Sequence, residues 1–182
     1  MNYAVELVFD DKSQNTINEL RKLLGENGVH DEAVKLNHIS IGDYCTNNIE
    51  GLKSKVLDFS EMIEPFEITL CAVGTFMTKE NVIFLAPIMT EELKSVHKKF
   101  LDFMSDFDGK LNQYYYIDKW MPHCTIAIRL TDEELFNGLK LLKNNIKLPI
   151  KVKLEKIDII NYPFNGILIT DIKYKNNHLN KG

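Results

Sequence analysis

Paired cysteines are missing from this sequence. Cys45, Cys71 and Cys124 are its three thiols, an odd number with no Cys-x-x-Cys spacing, so neither a zinc knuckle nor a dithiol redox motif is written here. Long apolar runs are missing too. None approaches the ~20 residues of a membrane-spanning helix, and a membrane partner is not expected. The opening stretch MNYAVELVFDDKS lacks a basic n-region and turns acidic early, unlike a secretory leader. Together these features point to a reduced, cytoplasmic protein. Positive charge is also scarce, since 22 basic residues against 26 acidic ones leave a formal charge of −4. Proteins that track long duplex nucleic acid rely on many Lys and Arg contacts to phosphate, so that class is set aside. One phosphate group held in a small local pocket remains compatible with the composition.

What is present is the hydropathy of a soluble globular chain, 45% hydrophobic and 26% charged over 182 residues. That length suffices for one domain or for two small lobes sharing a core. Alternating or apolar β-rich runs predict strands at 2–10, 35–42, 64–76, 81–88, 121–130, 148–162 and 166–174, the last after a turn at Phe164–Asn165–Gly166. Apolar residues at helical spacing predict helices at 13–28, 46–60, 90–104 and 131–145. The last of these opens with Thr131 and Glu134 at capping-box spacing.

The order of elements recurs. Asn2 and Asn81 are 79 positions apart, His38 and His123 are 85, Thr46 and Thr131 are 85, and Pro65 and Pro149 are 84. The added length in the second half falls in DFDGKLNQYYYIDKW, a tyrosine-rich loop just before the second histidine. The chain therefore reads as two βαβαβ units of one design followed by an extra strand.

Each unit carries the same short phrase, His38-Ile39-Ser40-Ile41 and His123-Cys124-Thr125-Ile126. On a strand, residues i and i+2 share a face about 7 Å apart. His38 and Ser40 then point one way, with Ile39 and Ile41 behind them, and His123 and Thr125 do likewise. If the two histidine strands lie side by side, two imidazoles and two hydroxyls line one cleft. Histidine suits proton transfer near neutral pH, so one ring can act as general base on a ribose hydroxyl or water, the other as general acid on the departing oxygen. The hydroxyls can donate to non-bridging phosphate oxygens, where charge develops. This scheme requires no metal, and no carboxylate cage for one is evident.

On those two phrases and their spacing the chain resembles the 2H phosphoesterase superfamily, which includes 2′-5′ RNA ligase-like proteins and cyclic nucleotide phosphodiesterases. The resemblance covers roughly residues 2–174. It implies an α+β fold, bilobal, of duplicated βαβαβ units at about 2–76 and 81–174 within a single domain, with two antiparallel sheets lining a central cleft and helices outside. It further implies His38 and His123 as the acid/base pair and Ser40 and Thr125 as phosphate-binding hydroxyls, with no cofactor. The substrate class would be a small nucleotide or an RNA end, carrying a 2′,3′-cyclic phosphate or a 2′-5′ linkage, acted on by a monomer. Ligase-like relatives often carry an arginine at the position matching Ile128. Here Arg129 lies one residue later, where a regular strand would still turn it to the face of His123 and Thr125.

Other residues of the right chemical type are Tyr115, Tyr116 and Trp120, which could stack a nucleobase. Phe76 closes a strand and reads as core. Lys119 reads as a solvated loop lysine, and His30, His97 and His178 read as structural or incidental. Three rival functions stand beside the phosphodiesterase: a metalloenzyme, a Cys124 nucleophile and a non-catalytic nucleotide or RNA-end binder. Strand alternation weighs against Cys124, because it faces away from His123. A 2′-5′ ligase activity is the remaining alternative within the resemblance.

Overall fold

In a computed structural model of the protein, the structure describes residues 1–29, 36–162 and 172–173. The strands are β1 Asn2–Phe9, β2 His38–Cys45, β3 Phe66–Phe76, β4 Val82–Pro87, β5 Lys110–Leu111, β6 Cys124–Ile128, β7 Ile150–Tyr162 and β8 Ile172–Lys173. The helices are α1 Asp11–Glu26, α2 Ile49–Ser60, α3 Glu91–Phe103 and α4 Asp132–Asn145. Local chemistry explains the helix boundaries. The side chains of Asp10, Asn48, Thr90 and Thr131 each accept a backbone N–H of the first turn, and Thr131 with Glu134 completes a capping box. Past the end of α1, Gly28 takes a φ of 81°, a conformation that costs glycine little. The turn expected at 164–166 and most of the strand expected at 166–174 lie outside the described residues.

The strands form one antiparallel sheet rather than two. Its order is β5-β2-β1-β7-β3-β4-β6, with β8 against β7. The physical reason is the length of β7. Its first residues pair with β3 (Ile150 opposite Leu70) and the rest with β1 (Tyr162 opposite Asn2), so the hydrogen-bond ladder runs unbroken from one half to the other. The order is palindromic. Each half reads histidine strand, first strand and third strand, but the third strand comes from the opposite half of the sequence.

The histidine strands β2 and β6 are therefore not neighbours in the ladder, as β1, β7, β3 and β4 lie between them. They nevertheless touch. Bulges supply the necessary bend, since each adds local twist. The register skips Ile41 of β2, Cys71 of β3, Ile126 of β6 and Glu155 of β7. Two of these bulges fall at the same place, three residues after each motif histidine.

Alternation across the sheet separates core from cleft. Tyr3, Val5, Leu7 and Phe9 of β1 join Ile39, Ile83, Leu85, Cys124, Ile157 and the buried stripes of all four helices in one hydrophobic cluster. Burying Phe9, Phe59 and Phe100, each almost fully enclosed, is worth about 1.5–3 kcal/mol apiece. Ala4, Glu6 and Val8 alternate to the other face, the one that carries His38 and Ser40.

The segment between β5 and β6 is fastened from both sides. His97 of α3 stacks on Trp120 with ring centroids 3.8 Å apart and hydrogen-bonds the backbone of Tyr115. Trp120 in turn donates its indole N–H to the Ser40 carbonyl at 3.0 Å. Trp120 thus pins this segment to the first motif, and its face is already covered, so it is no platform for a base. Burial pushes the His97 imidazole down to about 4, from 6.5. Between those values the unfolded chain binds the proton that the folded one refuses, so stability falls as pH drops through that window. The Tm should fall on moving from pH 7 to pH 5, and a His97→Phe variant should show a shallower fall in circular-dichroism melts across the same range.

Candidate active site

Two different devices set the two motif histidines in the same pose. Ahead of His38, Asn37 is buried and wired to α1. Its backbone and side-chain N–H groups donate to Gln14 Oε1 at 2.9 and 2.8 Å, and Gln14 Nε2 donates to the Asn37 carbonyl at 2.9 Å. Arg21 adds a bond to Asn37 Oδ1 at 3.3 Å. Ahead of His123 stands Pro122, which restricts Met121 to an extended backbone. Both devices aim a carbonyl at the ring two residues on. His38 Nδ1 lies 2.8 Å from the Leu36 oxygen, and His123 Nδ1 lies 2.7 Å from the Met121 oxygen. A carbonyl only accepts, so each Nδ1 carries a hydrogen and each Nε2 is left for chemistry.

The surroundings of the two Nε2 atoms differ. Around His123 the walls are aromatic, with Phe76 edge-on at 4.9 Å and Phe84 at 5.2 Å between ring centroids. Phe76 is half-buried and lines the site instead of joining the core. Around His38 the neighbour is a carboxyl group, with Glu6 Oε1 3.1 Å from Nε2 and side-chain exposures of 4% for Glu6 and 17% for His38. Glu6 sits opposite Ser40 on one side and opposite Asp158 of β7 on the other. A carboxyl inside the apolar strand YAVELVF is the signal that a reading for periodicity passes over, because such a group needs a partner when buried.

Electrostatics follow from this enclosure. Burial lowers His38 to about 4 against a smaller opposing pull from the Leu36 carbonyl, with His123 and Arg21 adding repulsion. Burial lowers His123 as well. Burial, and then the charge of Asp158, holds Glu6 well above the usual carboxylate range. Enclosure thus favours the neutral form of both imidazoles and disfavours an ionised Glu6.

The structure brings Ser40 into the same group. Tyr115 hydrogen-bonds its side chain, and Tyr115 faces Asp43 and Glu6 as well. Thr125 pairs with Phe84 on the cleft face of the second half. Cys124 does the opposite, as strand alternation requires. Its thiol is buried, hydrogen-bonds the His38 backbone and is pushed up to about 12 by burial, which leaves it a poor nucleophile. Arg129 does not follow the regular-strand expectation. The bulge at Ile126 breaks the alternation, β6 ends at Ile128, and Arg129 takes a φ of 63° with its Nε 3.7 Å from a Glu80 carboxylate oxygen. Tyr116 is exposed under Lys119 and borders an open cavity of about 600 Å³ at the far end of β2, shared with Asp43, Asn112 and Gln113. The motif histidines do not line that cavity. Among the described residues, no three His, Cys, Asp or Glu side chains converge as a metal site would need.

Gly74 is what lets the second half of the site close. It pairs with Phe84 across β3 and β4, and a Cβ there would stand 2.4 Å from the Phe84 ring. That ring is one wall of His123. Gly74→Ala should cost about 1–3 kcal/mol by overpacking, read in urea unfolding, and should disturb the His123 ring signal in NMR spectra of the folded variant.

Comparison with known proteins places the family and the fold. Residues 9–163 match the 2′-5′ RNA ligase superfamily. A protein of Bacillus licheniformis, provisionally named a phosphoesterase, is 26% identical over 149 residues, covering 79% of this chain and 80% of its own. Among solved structures, E. coli LigT complexed with 3′-AMP aligns with a TM-score of 0.59 at 12% identity, covering 87% of this chain and 86% of LigT. The MHV ns2 PDE domain aligns with a TM-score of 0.56 at 14% identity, covering 87% and 97%. At such identities the structural matches establish the fold.

Proposed function

The chain belongs to the 2′-5′ RNA ligase superfamily, and from that premise we propose that it is a metal-independent phosphodiesterase acting on nucleotides or RNA ends that carry a 2′,3′-cyclic phosphate or a 2′-5′ linkage. One observation carries this reading. Both motif imidazoles have Nδ1 tied to a backbone carbonyl, which leaves Nε2 of each for proton transfer beside a hydroxyl residue.

In the proposed reaction the phosphate sits between the rings, with Ser40 and Thr125 donating to its non-bridging oxygens. One neutral Nε2 takes a proton from the attacking water or ribose hydroxyl. The opposite side returns a proton to the departing oxygen. Attack by water leaves a phosphomonoester, whereas attack by a ribose hydroxyl leaves a cyclic phosphodiester. Tyr115 adds a third hydroxyl beside Ser40. The nucleoside part extends along β2 toward the cavity bordered by Asp43, Asn112 and Tyr116, whose amide, carboxylate and ring suit a base. The two halves, 2–76 and 81–174, supply one motif each as repeats of a common unit.

Turnover of 2′,3′-cyclic nucleotides in the presence of EDTA tests this. His38→Ala and His123→Ala should each lower kcat/KM by about 10²–10⁴-fold, with folding checked by circular dichroism. Loss of wild-type turnover on adding EDTA would point to a metalloenzyme. Tight nucleotide binding by an inert wild type would point to a binding protein.

A further inference from the structure

A reaction with one general base and one general acid needs a proton stored at the site. In the free protein neither imidazole holds an extra one, so the two motifs alone supply two bases and no acid. Among the described residues, a carboxyl group meets the ring of His38 and none meets that of His123. We propose that Glu6 is the proton store, that it passes its proton through Nε2 of His38 to the leaving oxygen, and that His38 is thereby the general acid and His123 the general base.

Geometry carries the assignment. His38 Nδ1 already donates to the Leu36 carbonyl, so the Glu6 contact at 3.1 Å falls on the one nitrogen able to exchange a proton with substrate. His123 has the same Nδ1 tie, but Phe76 and Phe84 flank its ring, and it keeps a lone pair ready to accept. The carboxyl is held from several sides. Asp158 faces it from β7, where Lys156 occupies the next position on the same face, and Ser40 lies opposite it on β2. Tyr115 faces it from the turn after β5, while the Cys124 thiol lies on the core side of the sheet and Arg21 of α1 is near His38. Burial and the Asp158 charge raise the proton affinity of Glu6.

The proton count closes. At rest the Glu6 carboxylic O–H donates to His38 Nε2. As His123 Nε2 removes a proton from the attacking oxygen, negative charge gathers on the phosphoryl group, and the Glu6 proton moves onto His38, whose single Nε2–H is then shared between the Glu6 carboxylate and the leaving oxygen beside it. When the bond from phosphorus to the leaving oxygen breaks, that oxygen takes the proton from Nε2. Glu6 is left as carboxylate, His38 neutral and His123 protonated, and exchange with water returns the resting state. Glu6 acts through His38 rather than on the substrate.

This rests on the proposed phosphodiesterase reading, and two measurements keep the two apart. The first needs no substrate. In the full-length protein, the ring-nitrogen NMR signal of His38 should move in step with titration of the Glu6 carboxyl carbon, and Glu6→Gln should abolish that step. An unchanged His38 titration in Glu6→Gln overturns the proposal, even if the wild type proves inert on every phosphodiester. The second is kinetic. Glu6→Gln should lower kcat/KM on a 2′,3′-cyclic nucleotide by about 10²-fold. The loss should be at least about tenfold smaller on a nucleoside 3′-(4-nitrophenyl phosphate), whose leaving group needs no acid. His123→Ala should lose activity on both substrates. Glu6→Asp, which keeps a carboxyl, should outperform Glu6→Gln, an ordering that a packing role would reverse because Gln is the closer shape. Equal losses on the two substrates, or Gln outperforming Asp, overturn the proposal.

Discussion

The site exists because two strands near opposite ends of one sheet are brought into contact. β2 and β6 share no hydrogen-bond ladder, yet the thiol of Cys124 reaches the backbone of His38. Cys124 itself lies in the core, on the buried side of the sheet. The residue between histidine and hydroxyl is thus the joint between the two motifs. It is small and apolar enough in behaviour to sit in the core, and it leaves both polar side chains facing outward. Bulges at Ile41 and Ile126 bend the two strands at matching points. Without such bends a flat sheet would hold the two strands five inter-strand steps apart, roughly 4.8 Å for each step.

Enclosure then decides the chemistry. Aromatic walls on one side and a buried acid on the other remove water from both rings, and desolvation disfavours the charged imidazolium. The same loss of water that keeps the rings neutral also strengthens any hydrogen bond they make to a phosphoryl oxygen. Symmetric motifs have thereby become unlike in function. The backbone pose of the rings is shared, while the neighbours that set proton affinity come from other strands and differ between the halves.

Much of this was legible from residue order. The helices and most strands fall within a few residues of where periodicity places them, because caps such as Thr131 with Glu134 and apolar stripes such as Leu93, Val96 and Phe100 act locally. The two His-x-hydroxyl phrases are local as well, and strand alternation rightly sends Cys124 behind His123. What escaped was set by pairing. Strand alternation carries no information on which strand lies beside which, so the single sheet with β7 shared between halves could not be read from it. Bulges are equally silent in the sequence, which is why Arg129 was expected on the cleft face. Phe76 was read as core because a strand-end aromatic is more often buried, whereas Phe84 pushes it against His123. Glu6 was visible as an acid in an apolar strand, but its partner lies 32 positions away in sequence.

The place of β7 also governs how the chain is made. β1 is translated first and lies near the middle of the finished sheet, with β2 on one edge and β7 on the other. One edge of β1 finds its partner early. The other waits for a strand about 150 residues downstream, roughly 8–30 s at ordinary rates of synthesis. During that interval an apolar strand bearing a buried-type carboxyl stands with an unpaired edge, and the same holds for β3 until the start of β7 arrives. A ribosome that pauses before β7 would therefore leave two open edges at the heart of the sheet, in a nascent chain that already carries both histidine phrases but lacks the strand whose ladder runs across both halves.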